Sequence, residues 1–369
     1  MMRGLKTLGV ALALVMASAA LPAWSSVDDS IGRMTLRAKV GQLVMFTVRG
    51  TSLSEAERDV IRSARLSNVI LFDKNYSGRA QLETLTQEIQ RAAQAGRPHP
   101  IGALISVDQE GGVVKRFEDM APWYSAPEMG SRDTTDLAFD QGRATGWALH
   151  SVGVNVDLAP VADLDLPPAH VMSSRSFGSA PRKVGRMVRA FSRGLQSRRT
   201  AATAKHFPGL GGASRNSDFG RSYVYRSRWK LHHIDAQPFQ IAMDGGLKAV
   251  MLSHAIYPKD GGSRPASLNH YIATTRLREE LGFGGVAFSD ALEPVSWWFK
   301  GNVAKTCKAT IKAGVDIALI TGDVYAARAC ARAIRDAVGS GAISEQRIDR
   351  SVERVLRLKA WLGVYDPAT

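Results

Sequence analysis

Cysteine is scarce in this chain: Cys307 and Cys330 are the only two among 369 residues. Such usage excludes a disulfide-built scaffold and any paired-cysteine metal site. The chain also lacks an HxxxH helix, a GxSxG elbow, a GxGxxG fingerprint and a P-loop. Their absence argues against metal, acyl-transfer and nucleotide chemistry, so no cofactor and no metal are expected. Acidic residues are in the minority, 34 against 48 lysines and arginines, for a net charge of +14. The basic excess is scattered, as in RSRWK and on helix faces, without interleaved aromatics or a recognition-helix pattern, so nucleic acid is not an expected partner. A basic surface of this kind is drawn instead to anionic polymers, with an attraction that salt weakens. With 45% hydrophobic and 22% charged residues and no low-complexity block, the composition is that of a soluble globular protein.

One apolar run does stand out, from Leu8 to Ala20, preceded by Arg3 and Lys6 and followed by small residues up to Ala23. It is short for a membrane span of about 20 residues and reads as a cleavable secretory leader over 1–23. No cysteine lies near the junction, which disfavours a lipid anchor. The expectation is a secreted or periplasmic protein without stable membrane insertion, residues 24–369 forming the mature part. Loss of Arg3 and Lys6 lowers the charge from +14 to +12 (14 − 2), still strongly basic. Export permits a bond between Cys307 and Cys330; two buried thiols fit the sequence equally well.

The mature part is long enough for a single α/β barrel, which needs about 250 residues. Eight short apolar segments read as strands, at 42–47, 68–72, 103–108, 155–160, 201–206, 249–254, 285–290 and 316–321. Amphipathic segments alternate with them at 53–64, 79–95, 137–151, 183–197, around 277–281, at 304–313 and at 326–338, and a last helix covers 345–362. Ser52 and Glu55 have the spacing of a capping box ahead of the first. Continuous apolar strands separated by helices predict a parallel sheet buried on both faces. Eight of them predict an α/β fold of the (β/α)8 barrel type, with a doubly wound open sheet as the second choice.

Barrel active sites sit at the C-terminal ends of the strands. Those ends carry Asp108, Pro160 with nearby Asp163, Lys205 with His206, His254, and Asp290. Each alone fits a cap or a turn, but together they gather polar groups where the fold would place a pocket. Lys205 and His206 open the stretch KHFPGLGGASRNSDFG, in which two donor side chains precede a glycine-rich loop able to fold over a ligand. Asp290 ends GGVAFSD, a run otherwise too apolar to host a charge without purpose, and suits a nucleophile or electrostatic stabiliser. Carboxylate chemistry on a polar, neutral substrate remains, and sugars are the leading candidates.

The stretches KVGQLVMF, VILFDKN, ISVDQEGGVVKRF, VNVDLAPVADLD, SSRSFG, AKHFPGLGG, VMLSHAIYP, LREELGFGGVAFSDAL and AGVDIALI follow one another over nearly the whole mature chain. In content and order the chain resembles glycoside hydrolase family 3, in particular its single-barrel β-N-acetylhexosaminidases. The resemblance implies that Asp290 is the nucleophile of a retaining double displacement. It also implies that Asp108, Arg116, Arg175, Lys205 and His206 hold the sugar, that His254 supports the site, and that the partner is an amino-sugar oligosaccharide or cell-wall glycan. The chain departs from the family at its general acid/base. Where the family has an Asp-Ser-His triplet after the glycine-rich turn, this chain has Asn216-Ser217-Asp218, which makes Asp218 the candidate acid/base. Val113 stands where the family has an arginine, and Ala291 where it has a second aspartate. A glycosidase, a barrel that only binds amino-sugar polymers, and a transferase or phosphorylase are the functions compatible with these departures.

Overall fold

The computed structural model describes residues 22–96 and 100–367. The expected leader therefore lies outside the described residues except for Pro22 and Ala23, and the first helix, Pro22–Arg33, runs across the expected junction.

Eight parallel strands form the centre of the molecule: β1 (Val44–Thr47), β2 (Asn68–Leu71), β3 (Ile105–Val107), β4 (Val156–Asp157), β5 (Ala201–Phe207), β6 (Ala249–Leu252), β7 (Val286–Ser289) and β8 (Ala318–Leu319). Each pairs with its sequence neighbour from β1 to β7, and β8 pairs with β1. The ring closes where Phe288 of β7 bridges Ile317 just before β8. Every expected strand is present and the sheet is a closed (β/α)8 barrel rather than an open, doubly wound one. Every strand but β5, which runs on to Phe207, is shorter than its apolar run, because the run continues into the loops above and below the ladder.

Helices α1 (Glu55–Ser63), α2 (Arg79–Gln94), α3 (Thr135–Ser151), α4 (Pro181–Gln196), α5 (Gln237–Asp244), α6 (Tyr271–Glu280), α7 (Val303–Ala313) and α8 (Val324–Gly339) follow the strands in turn, α6 with wide, π-type turns. A last helix, α9 (Glu345–Leu362), buries Ile348, Val352, Val355, Leu356 and Leu362 at helical spacing, and Gly363 ends it in the left-handed conformation. The capping box of α1 is formed by Ser54 and Glu57 rather than by Ser52 and Glu55. The Ser54 hydroxyl accepts from the Glu57 N–H at 3.3 Å, and the Glu57 carboxylate accepts from the Ser54 N–H at 2.8 Å. Leu53 is buried and its N–H donates to Glu88 at 3.2 Å, so the chain stays extended past Ser52 and the helix starts two residues later.

Cys307 on α7 and Cys330 on α8 form a disulfide, with Cα atoms 5.6 Å apart. Among the described residues no helix is long and apolar enough to cross a membrane.

Candidate active site

A cleft of about 210 Å³ opens at the C-terminal ends of the strands, lined by Asp108, Glu110, Arg116, Arg175, Lys205, His206, Asp218 and Asp290 among others. Regular alternation would send Lys205 and His206 to opposite faces of β5. Instead the pairing with β6 slips, Lys205 facing Met251 and Phe207 facing Leu252, so that His206 is an extra residue. Such a bulge re-aims side chains, and here both reach the cleft.

Lys205 is buried, and its ammonium donates to Asp108 and to Glu110, each at 2.6 Å. Burial works against its charge, but the two carboxylates outweigh burial and raise its pKa above the usual lysine value. Arg175 grips Glu110 with two parallel bonds, Nε to Oε2 at 2.9 Å and Nη2 to Oε1 at 2.7 Å. Burial alone would raise Glu110, and the two cations instead hold its carboxyl down at about 2. Glu110 had no expected role; it sits inside DQEGG as the anchor of both cations. Gly111, at φ 86°, turns the hairpin of Gln109–Gly111 with Val114–Lys115, and a Cβ there would come within 2.8 Å of Pro122 and Tyr124. Val113 is 69% exposed at the tip of this hairpin, so the side chain that replaces the family's arginine points away from the cleft. Arg116 lines the cleft with its guanidinium 5.5 Å from the Phe72 ring, and its Nε is buried without a hydrogen-bond partner among the described residues.

His206 is oriented by Asp163, which lies fully buried beneath it. The carboxylate of Asp163 accepts from the N–H groups of His206 at 3.1 Å and Leu210 at 2.6 Å, and faces His206 Nδ1 at 2.6 Å. Nδ1 therefore carries a proton, and Nε2 is directed toward Asp290, 3.9 Å from Oδ2. Asp157, at the end of β4, is a second buried carboxyl without an expected role. It accepts from the Gln109 N–H at 3.0 Å, and burial pushes its pKa well above the usual range despite Lys205.

Asp290 follows β7, and its Oδ1 accepts from the Ala291 N–H at 2.8 Å. Burial would raise its pKa, but His206 and His254 outweigh that effect and hold it below the usual value. His254 does not line the cleft. Its Nε2 faces the Ala291 carbonyl at 2.6 Å and must donate, while Nδ1 faces the Ser267 hydroxyl at 2.7 Å. It thus holds the peptide that follows Asp290. Asp218 sits on the turn Ser217–Phe219 at the lip. The residue as a whole is exposed, yet neighbouring protein desolvates its carboxyl, and this together with the Asp290 charge raises its pKa. The Asn216 side chain accepts from the Asp218 N–H at 3.0 Å and caps the turn. Among the described residues no group of three or more His, Cys, Asp or Glu side chains is arranged to hold a metal ion.

Residues 35–358 match the glycosyl hydrolase family 3 N-terminal domain. The chain belongs to this family. Among its family 3 relatives, a β-hexosaminidase of Nitrosomonas eutropha is 34% identical over 288 residues, 76% of this chain and 80% of that protein. One from Bordetella avium is 34% identical over 285 residues, 75% of this chain and 79% of its own. The structure of a family 3 β-N-acetylglucosaminidase from Paenibacillus sp. str. FPU-7 superposes with a TM-score of 0.84 at 34% identity. That match covers 90% of this chain, which spans only 63% of the Paenibacillus protein. A β-N-acetylhexosaminidase from Beutenbergia cavernae superposes with a TM-score of 0.81 at 25% identity, covering 89% of this chain and 99% of the other.

In this family 3 barrel, three βα loops supply the carboxyl groups above the Lys205 and His206 pair: the hairpin after β3, the glycine-rich turn after β5 and the segment after β7. Gly211 of the glycine-rich turn packs so tightly that a Cβ would collide with the Leu164 carbonyl. The cleft therefore offers, besides Glu110 clamped between two cations, a carboxylate held ionised at Asp290, a carboxyl pushed toward its acid form at Asp218, and a ring of charge-assisted donors around a small volume.

Proposed function

We propose that the protein is a retaining β-N-acetylhexosaminidase that removes terminal N-acetylglucosamine, with Asp290 as nucleophile and Asp218 as acid/base. One observation carries this reading: two carboxyl groups face the same cleft with their pKa values displaced in opposite directions, Asp290 down and Asp218 up. Pairs split in this way divide nucleophile and acid between them. In the first step the Asp290 carboxylate attacks the anomeric carbon, while the Asp218 carboxyl gives its proton to the departing oxygen. In the second step the Asp218 carboxylate takes a proton from water, the hydroxide oxygen bonds to the anomeric carbon, and the Asp290 carboxylate leaves. Lys205, Arg175 and Arg116 then serve as donors to the hydroxyl and acetamido oxygens of the sugar, and Asp108 as an acceptor. The relatives named β-hexosaminidase support the sugar; the disulfide supports an exported protein, secreted or periplasmic, acting on cell-wall or chitin-type fragments.

Turnover of an aryl β-N-acetylglucosaminide tests the assignment, because its leaving group needs no proton. Asp290→Ala should abolish it. Asp218→Ala should largely spare it and cost about 10²- to 10⁴-fold on N-acetylglucosamine disaccharides. An equal loss on both substrates would remove Asp218 from the acid role. A wild-type protein that binds N-acetylglucosamine oligomers without cutting either substrate would be a sugar-binding barrel.

A further inference from the structure

Beside the cleft lies a larger groove of about 560 Å³, lined by Arg221, Tyr223, Ile256, Pro258, Trp297 and Trp298 among others. The same two loops line both. The loop after β5 gives Asp218 to the cleft and Arg221 and Tyr223 to the groove; the loop after β7 gives Ala291 and Pro294 to the cleft and Trp297 and Trp298 to the groove. On each side the step is three residues, a reach of at most about 11 Å.

The groove is built unlike the packed interior. Trp298 rests partly on the hydrophobic core, whereas Trp297 takes no part in it and meets Trp298 edge to face, with ring centroids 5.4 Å apart. The Arg221 guanidinium lies 4.5 Å from the Trp297 ring centroid, and it makes no ion pair among the described residues. A guanidinium held over an aromatic face keeps the N–H donors at its rim available to a ligand. Across the loop, Tyr223 stacks on Tyr225 at 5.6 Å. Flat apolar rings beside an oriented fork of donors match a pyranose ring, which has one C–H face and a rim of oxygens.

We propose that this groove holds the leaving-group sugars of a glycan whose terminal residue occupies the cleft, with Trp297 as stacking platform and Arg221 as hydrogen-bond fork. The protein then favours chains of three or more sugars over a disaccharide. This rests on the glycosidase reading, so the test must separate the two. The kcat/KM for N-acetylglucosamine oligomers of two, three and four units is compared in wild type, Trp297→Ala and Arg221→Ala. In wild type it should rise about five- to tenfold from the dimer to the tetramer, and in both variants that ratio should fall toward unity. Equal values for dimer and tetramer in wild type, or a ratio that both substitutions leave intact, would overturn the proposal. Should Trp297→Ala fail to fold, Arg221→Ala, an exposed position, decides alone. If wild type turns over neither these oligomers nor an aryl glycoside, the glycosidase reading fails. The groove is then judged by calorimetric affinities for dimer and tetramer in the same proteins, under the same criterion.

Discussion

Asp290 and Asp218 carry the same side chain, and their surroundings set them apart. Asp290 is held ionised mainly by His206 and His254, and its charge in turn opposes ionisation of Asp218. Activity should therefore fall in acid as Asp290 takes up a proton, below the ordinary carboxylate range, and fall again above the ordinary aspartate value as Asp218 loses its own. Asn216 already caps the turn through its side-chain oxygen, a task an aspartate performs equally well, so the family's pair can be rebuilt without disturbing the backbone. In the double variant Asn216→Asp/Asp218→His the alkaline limb of the kcat/KM profile should pass from a carboxyl to an imidazole, whose ordinary value is about 6.5. A limb that stays at its wild-type position would mean that residue 218 does not donate the proton. Much of this site was legible as chemistry at strand ends, since Asp108, Lys205, His206 and Asp290 all interrupt apolar runs. The same logic applied to VNVDLAP would have found Asp157, whose carboxyl stands in an equally apolar setting. Glu110 was less accessible, because nothing in a single chain marks a glutamate before two glycines as the partner of Arg175, 65 residues away.

At the level of elements, the eight strands were legible because a parallel strand buried on both faces has no polar side to obscure the pattern. The bulge at His206 was not, since strand periodicity contains no signal for one extra residue. Helix starts were harder for a different reason. SLSEAE offers the capping spacing twice, as Ser52 with Glu55 and as Ser54 with Glu57, and tertiary contacts choose between them. Leu53 goes into the core and its N–H to Glu88, which leaves Ser54 to begin α1. Glu57 is buried and also accepts from the Arg49 N–H at 2.7 Å, so the box ties α1 to the loop after β1. Ser54→Ala should lower stability by about 1 kcal/mol in urea unfolding, within the range for capping residues, whereas Ser52→Ala should change it by less than about 0.5 kcal/mol. Equal effects would return the helix start to Ser52.

For the whole molecule, the join between β7 and β8 is where the ring is thinnest, a single bridge between Phe288 and Ile317. Asp316 reinforces it from the loop before β8. Its carboxylate accepts from the Ala287 N–H of β7 at 2.9 Å, taking the place of a ladder bond, and from Arg278 of α6 at 2.7 Å and Arg354 of α9 at 3.0 Å. Burial would raise this carboxyl, but Arg278, Arg354 and Arg347 outweigh burial and leave its pKa below the usual value. With a folded pKa under the unfolded one, the group contributes stability above its unfolded pKa and loses it as the pH falls through the folded value. The disulfide acts on the same join from outside, tying α7, which follows β7, to α8, which follows β8, across 23 residues of sequence. Removing it with Cys307→Ser/Cys330→Ser should cost about 2–4 kcal/mol in urea unfolding, and Asp316→Asn, which strands three arginines around a neutral group, about 3–5 kcal/mol. Because each change loosens the join that the other supports, the combined protein should lose less than the sum, by about 0.5 kcal/mol or more. Strict additivity would mean that the disulfide and the carboxylate stabilise separate parts of the barrel and that the ring closes without their cooperation.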